Sequence, residues 1–363
     1  MDFNLIDYIE RHRGKRKIKL HGKNITYLPL GLFDAFESLE VLDLSGNQID
    51  EIPRGLFDFC GNLKKLILDN NRIRKIPADL FEYNRALIKI SIKKNLLTEL
   101  PDRLLNNCER LEEIYLDENQ IREIPPGFFD YCPHLNTIYM GINEIKDLFS
   151  YPFDHCPKLQ YVSLTGNEIE VIPKGLFDAC PALTEFFITS NRIKEIPQGL
   201  FDIHADLEWV DVSGNQLTHL HQGLFDNCPK LIVVQFEDNQ LTSLPPGLFA
   251  HSPHLARVVL MNNRLTALPK LFNDAPIIYL SGNEFDQIPY FPQVKIEDLS
   301  RLQLDVHAIQ ERNQQVRKSR VVDDIETLPR QPWNYPQPVF SSAWRGSRAY
   351  QELEAGDLED MDF

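Results

Sequence analysis

The sequence predicts an α/β fold: a right-handed solenoid with a parallel concave β-sheet, an irregular convex side and helical caps. Three observations predict it. Asn47, Asn71, Asn95, Asn119, Asn143, Asn167, Asn191, Asn215, Asn239 and Asn263 follow one another at intervals of 24 residues, without insertion or deletion. The text around each asparagine recurs, as in "LEVLDLSGNQIDEIPRGLFDFC", "LEEIYLDENQIREIPPGFFDYC" and "LQYVSLTGNEIEVIPKGLFDAC". A phenylalanine returns in register at Phe57, Phe81, Phe129, Phe153, Phe177, Phe201, Phe225 and Phe249, interrupted only by Leu105. A fixed period of this length marks stacked units, each burying its apolar face only against its neighbours.

The unit can be read physically. L-x-L gives one short strand whose apolar side chains point inward, and stacked strands form a parallel sheet with about 4.8 Å between neighbours. The asparagine stands where the chain leaves the strand, and its side chain can bond backbone groups of the adjacent turn. Ile-Pro then ends extended structure, because proline removes a ladder donor. "GLFD" carries the convex side, with the phenylalanines as its spine. The open ends of such a stack need caps. Asp2 to His12 predicts an amphipathic helix with Phe3, Ile6 and Ile9 on one side. Ile296 to Val316 predicts a second, with Leu299, Leu302, Val306 and Ile309 spaced by three or four. The expected organisation is a capping helix over 1–15, a solenoid of about 11–12 repeats over 16–291, a capping helix over 292–320 and a tail over 321–363.

These units resemble the leucine-rich repeat, L-x-x-L-x-L-x-x-N-x-L, in its 24-residue form. The resemblance runs from Arg16 to Pro289, about three-quarters of the chain. Its ends depart from the pattern: Lys23 stands where an asparagine is expected, and Asn283 follows Asn263 after 20 residues. The resemblance implies a horseshoe-shaped, monomeric module that binds a protein partner on its concave face.

All six cysteines, Cys60, Cys108, Cys132, Cys156, Cys180 and Cys228, lie 13 residues after a ladder position. One recurring convex position is best filled by a small buried hydrophobe, so these cysteines are expected to be structural. Extracellular members of the resembled family usually carry disulfide-clustered caps, and neither end of this chain has a cysteine. The N-terminal stretch "MDFNLIDYIE" has no basic or apolar signal region, and no run reaches the length of a membrane span. Together these predict a reducing, cytoplasmic-type compartment. The formal net charge of −15 argues against nucleic acid as a partner, since phosphate-backbone affinity comes from Lys and Arg.

A catalytic constellation is not evident. The ten histidines scatter, and the tightest pair, His219 and His221 in "LTHLHQGLF", is expected to be an irregular turn rather than a metal-ligand pair, because His221 replaces the Ile-Pro proline. There is no phosphate-cradling glycine loop. Bacterial leucine-rich-repeat ubiquitin ligases add a domain with a nucleophilic cysteine, and no cysteine follows Cys228 here. The expectation is a non-enzymatic chain with no cofactor and no metal.

Binding offers more. The x positions of L-x-x-L-x-L-x-x-N face the concave surface, because strand side chains alternate. Those positions hold a basic patch of Lys65, Lys89, Lys93 and Lys94 toward the N-terminal end. In the next five consecutive repeats they hold Tyr115, Tyr139, Tyr161, Phe187 and Trp209, with Ile142 beside them. Glu113, Asp117, Glu118, Glu185, Asp211, Glu237 and Asp238 rim that belt. Aromatic residues favour strands in any case, but five in succession predict an exposed interaction surface for a basic protein partner.

Beyond Pro292 comes "LPRQPWNYPQPVF", proline-rich and extended, with Trp333, Tyr335, Phe340 and Trp344 as residues that either pack back on the solenoid or dock a partner. The closing "QELEAGDLEDMDF" carries Glu352, Glu354, Asp357, Glu359, Asp360 and Asp362. Taken alone it reads as a solvated acidic tail. It also resembles the acidic C-terminal signals of bacterial type IV secretion effectors. That resemblance implies a virulence effector acting on a host protein in host cytosol; the alternative is an endogenous intracellular scaffold or adaptor.

Overall fold

The computed structural model describes residues 4–269, residues 277–285 and the backbone of 302–303. One parallel sheet of thirteen strands, in sequence order, runs through them. The strands are β1 (Lys17–Lys19), β2 (Val41–Asp43), β3 (Lys65–Ile67), β4 (Lys89–Ser91), β5 (Glu113–Tyr115), β6 (Thr137–Tyr139) and β7 (Tyr161–Ser163). They continue as β8 (Glu185–Phe187), β9 (Trp209–Asp211), β10 (Val233–Gln235), β11 (Arg257–Val259), β12 (Ile277–Tyr279) and β13 (Leu302–Gln303). From β1 to β11 each residue pairs with the one 24 positions on, as in Ile114↔Ile138 and Phe186↔Val210. The period written in the sequence is thus the register of the sheet. At the shortened repeat the offset becomes 20, Arg257↔Ile277.

The middle residue of each strand enters the core. Ile18, Leu42, Leu66, Ile90, Ile138, Val162, Phe186, Val210, Val234 and Val258 are fully buried. Behind them the phenylalanine spine stacks ring on ring: Phe153 and Phe177 lie 5.6 Å apart at 10°, Phe225 and Phe249 5.6 Å apart at 17°. The cysteine position is buried too, and no thiol is cross-linked. Its three exceptions between Cys60 and Ser252 keep a polar tether. Asn84 Nδ2 donates to Phe57 O at 3.0 Å, His204 Nε2 lies 3.3 Å from Phe177 O, and Ser252 donates to Cys228 O at 3.2 Å.

The asparagine ladder satisfies backbone groups that the short strands leave open. Asn191 Nδ2 donates to Leu164 O, Ile188 O and Thr189 O at 3.0–3.2 Å, and its Oδ1 accepts from Ile169 N at 2.9 Å. One side chain therefore serves two consecutive turns in a place water does not reach.

Helix α1 (Leu5–Arg11) begins at Asn4, whose side chain accepts from Asp7 N at 3.2 Å. Its inner face differs from the expected one. Ile9 is buried and Leu5 and Tyr8 pack on the core, whereas Ile6 is 56% exposed. Leu5, Tyr8 and Ile9 form an i, i+3, i+4 stripe that leaves Ile6 facing away. Phe3 lies outside the described residues.

The C-terminal side needs a larger correction. Leu302 and Gln303, expected inside the capping helix over 292–320, form a strand that pairs with Ile278 and Tyr279. Leu299, Leu302 and Leu304 also fit L-x-x-L-x-L, and Leu302 falls 24 residues after Ile278. The open edge of β12 offers unpaired backbone groups to a further strand, so the repeat reading wins there over the helical spacing. The rest of 292–320, and the tail over 321–363, lie outside the described residues. Among the described residues no helix is long and apolar enough to cross a membrane.

Candidate protein-binding site on the concave sheet face

Each three-residue strand sends its first and third side chains to the face opposite the core, so the sheet carries two outward columns. Tyr115, Tyr139 and Phe187 stand in the third-residue column; Tyr161 and Trp209 stand in the first-residue column. Small residues make the crossover possible. Ser163 lies between Tyr139 and Phe187 in one column, and Thr137 precedes Tyr161 in the other.

The five rings form one continuous stack. Centroid separations are 4.9 Å for Tyr115–Tyr139, 4.4 Å for Tyr139–Tyr161, 5.2 Å for Tyr161–Phe187 and 5.3 Å for Phe187–Trp209. The first two contacts are face to face and the last is edge to face. This corrects the expectation of exposed anchors. Tyr115, Tyr139, Tyr161 and Phe187 keep 6–9% of their surface, and only Trp209 is half-buried. Strand spacing is close to ring-stacking distance, so each ring covers the next. The belt is a packed floor with Trp209 as its open end.

The lysine patch is also different from the expectation. Lys89 Nζ lies 3.0 Å from Glu113 Oε2, Lys93 3.9 Å from Asp69 and Lys94 3.3 Å from Glu118. Lys89 and Lys93 also sit over the Tyr115 ring, 4.3 and 5.3 Å from its centroid. Tyr115 donates to Glu113 Oε2 at 2.9 Å. These cations close the N-terminal end of the stack and are spent on neighbours; Lys65 remains an exposed residue of β3. Sequence reading missed the pairing although a signal existed. Each partner lies 24 residues away, so reading charges at that offset finds all three.

At the other end, among the described residues, the carboxylates of Glu185, Glu208, Asp211, Glu237 and Asp238 make no direct ion pair, although Glu208 lies within the field of Lys230. Asp211 accepts from Ser213 N at 3.0 Å, and Asp238 accepts from Asn262 Nδ2 at 2.8 Å. Burial pushes the Glu185 carboxyl up to about 7, with Glu208 adding to it, and raises Asp211 to about 6. Burial also raises Glu237, with Asp211 and Asp238 adding to it. Asp117, beside the Tyr115 end of the belt, is raised to about 7 by burial, against a hydrogen bond from Gly141 N at 2.9 Å and the Lys93 charge. Glu185 Oε2 and Trp209 Nε1 are buried with no hydrogen-bond partner among the described residues.

Ile142 borders the belt in an unusual state. Its φ is +51°, yet it is β-branched and 48% exposed. Equivalent left-handed positions hold Gly46, Asn70, Lys94, Glu118, Gly166, Ser190, Gly214, Asp238 and Asn262, so Ile142 is the β-branched residue of the series. A shallow convex depression of ≈ 500 Å³ beside Asp202, Ile203, Asp226 and His251 gathers no comparable chemistry.

Residues 61–121, 109–169, 157–217 and 205–265 each match the family model described as Leucine rich repeat, and residues 37–82 match that for Leucine Rich repeats (2 copies). Those matches span more than half of the chain, which belongs to the leucine-rich-repeat proteins. No enzymatic family is among them. No curated protein sequence matches the chain. Among solved structures it is similar to a leucine-rich-repeat protein of Leptospira interrogans, with TM-score 0.65 and 22% identity over 82% of this chain and 68% of that one. A chain of the Drosophila Toll–Spatzle complex gives TM-score 0.68 and 27% identity over 78% of this chain and 39% of that one. A chain of the octameric complex of latrophilin 3, Unc5D and FLRT2 gives TM-score 0.61 and 25% identity, over 70% and 77%.

Proposed function

We propose that the chain is a non-enzymatic, monomeric protein-binding module that grips a partner on the concave face of its sheet. The partner presents a Lys or Arg side chain to the Trp209 end of the aromatic stack. The observation that carries this reading is the asymmetry of the stack: lysines occupy one end, while at the other Glu185 and Asp211 form no ion pair among the described residues. A guanidinium or ammonium group entering there gains a carboxylate and the face of an indole together. Aromatic and carboxylate groups combined in this way anchor interfaces, with the charges steering association. The similarity to repeat chains in the Toll–Spatzle and latrophilin complexes supports a protein rather than a small molecule as the bound species. The test is affinity capture from candidate host lysate by three forms of the chain: unaltered, Trp209→Ala with Glu185→Gln, and lacking Glu352–Phe363. Capture that survives the double change and is lost with the tail would overturn the concave-face reading.

A second reading concerns delivery. Read through its resemblance to acidic secretion signals, the stretch from Gln351 to Phe363 belongs to a bacterial effector passed by a type IV system into host cytosol. Taken alone it is a solvated acidic tail, and the alternative is an endogenous scaffold whose tail recruits other machinery. Translocation from a secretion-competent donor, with and without Glu352–Phe363, separates the two.

A further inference from the structure

The strand-to-convex turn of the ninth repeat carries two histidines, one of them in place of the recurrent proline. His221 stands where Pro53, Pro77, Pro101, Pro125, Pro173, Pro197 and Pro245 stand in other turns. His219 occupies a variable position, held elsewhere by Glu51, Lys75, Glu99, Glu123, Asp147, Val171, Ser243 and, in the adjacent turn, Glu195. Being 24 residues apart, Glu195 and His219 are lateral neighbours. Leu220 between the two histidines is buried, so the alternation of an extended segment sends both imidazoles outward on the same side. His221 Nε2 lies 2.7 Å from Glu195 Oε1, and the two imidazole rings are 5.4 Å apart. One donor atom from each of the three residues lies within 4.8 Å of the others.

We propose that Glu195, His219 and His221 form a zinc-binding site that clasps the eighth and ninth turns at the side of the sheet. Two imidazoles and one carboxylate are a donor set suited to Zn²⁺. Bonds of 2.0–2.1 Å in a tetrahedral site place donors about 3.3 Å apart. The His221–Glu195 contact therefore opens slightly on metal binding and His219 closes in, movements that exposed side chains make by rotation. A second contact prepares His219. Thr218 Oγ1 lies 3.2 Å from its Nδ1, and while that contact is kept Nε2 is the nitrogen open to a metal. Three protein ligands leave a fourth position for water or for a side chain brought by a partner.

The experiment is calorimetric titration of ZnCl₂ into the untagged, chelator-treated full chain, beside His219→Ala/His221→Ala and Glu195→Gln. The expected result is one equivalent bound by the unaltered chain at micromolar concentrations. Affinity falls at least about tenfold in Glu195→Gln, and binding is lost in the double variant. Circular dichroism stays unchanged in both, and the metal-free unfolding midpoint moves little, because Glu195 and His219 are exposed and the part-buried His221 makes only a surface contact to Glu195. No uptake by the unaltered chain, or equal uptake by the folded double variant, overturns the proposal.

Discussion

Glu185 and Trp209 are register partners in β8 and β9, and each holds a buried polar atom, Oε2 and Nε1, that bonds nothing among the described residues. An unmade hydrogen bond in a buried place costs about 1–3 kcal/mol. A donor and an acceptor left open side by side, at the uncovered end of an aromatic stack, are where a ligand has most to gain.

The raised Glu185 carboxyl predicts how stability depends on pH. Its folded value of about 7 lies above the ordinary 4.5, so the folded chain holds the proton longer than the unfolded chain. The stability this brings is complete below the unfolded value and is lost as pH rises through the folded one. Glu185→Gln removes that dependence. Relative to the unaltered chain, the variant should gain about 1–3 kcal/mol between pH 4 and pH 8, read by urea unfolding at both ends. An unchanged difference across that window contradicts the assigned burial.

Ile142→Asn should stabilise the fold by about 1 kcal/mol, because asparagine tolerates the left-handed backbone that a β-branched residue strains. The same change should weaken partner binding, since it removes the exposed apolar edge of the belt. Urea midpoints check the first effect. A loss of stability would mean that Ile142 packing over Gly166 outweighs the backbone strain.

Asn191→Ala should cost roughly 3 kcal/mol or more, because it strands Ile169 N and the Leu164 and Ile188 carbonyls in two turns. Denaturant unfolding of the variant reads this directly, and a cost under 1 kcal/mol would show that water replaces the side chain.

The period made the strands, register, ladder and spine legible, because in a stacked repeat one local geometry recurs and neighbours are fixed by the offset. Trp209, Phe187 and the three tyrosines were found on the correct face for the same reason. What stayed hidden depended on distances between columns. Strand alternation places Tyr139 and Tyr161 outward but does not say that they stack at 4.4 Å and cover each other. The pairing of Lys89 with Glu113 was readable at the 24-residue offset and missed because the lysines were read along the chain. Leu299, Leu302 and Leu304 fit both a helix and a repeat strand, and only the edge of β12 decides between them.

The six cysteines should be inert while the chain is folded. Burial raises Cys60, Cys108, Cys180 and Cys228 to about 12 and pushes Cys132 and Cys156 up as well. Thiolate is therefore scarce at neutral pH. A thiol-reactive dye should label none of them rapidly in native buffer and all of them in denaturant; fast native labelling at any position contradicts the packing.

The most direct measurement selects a random peptide display library on the full chain and counter-screens the winners. The account predicts enriched peptides rich in Lys or Arg. They should bind at least about 2 kcal/mol more weakly to Trp209→Ala, and more weakly again to Trp209→Ala with Glu185→Gln, but equally well to a chain altered at the exposed convex residue Phe59. Enrichment of neutral or acidic peptides, or of basic ones indifferent to Trp209 and Glu185, would contradict a concave site built for a cationic partner.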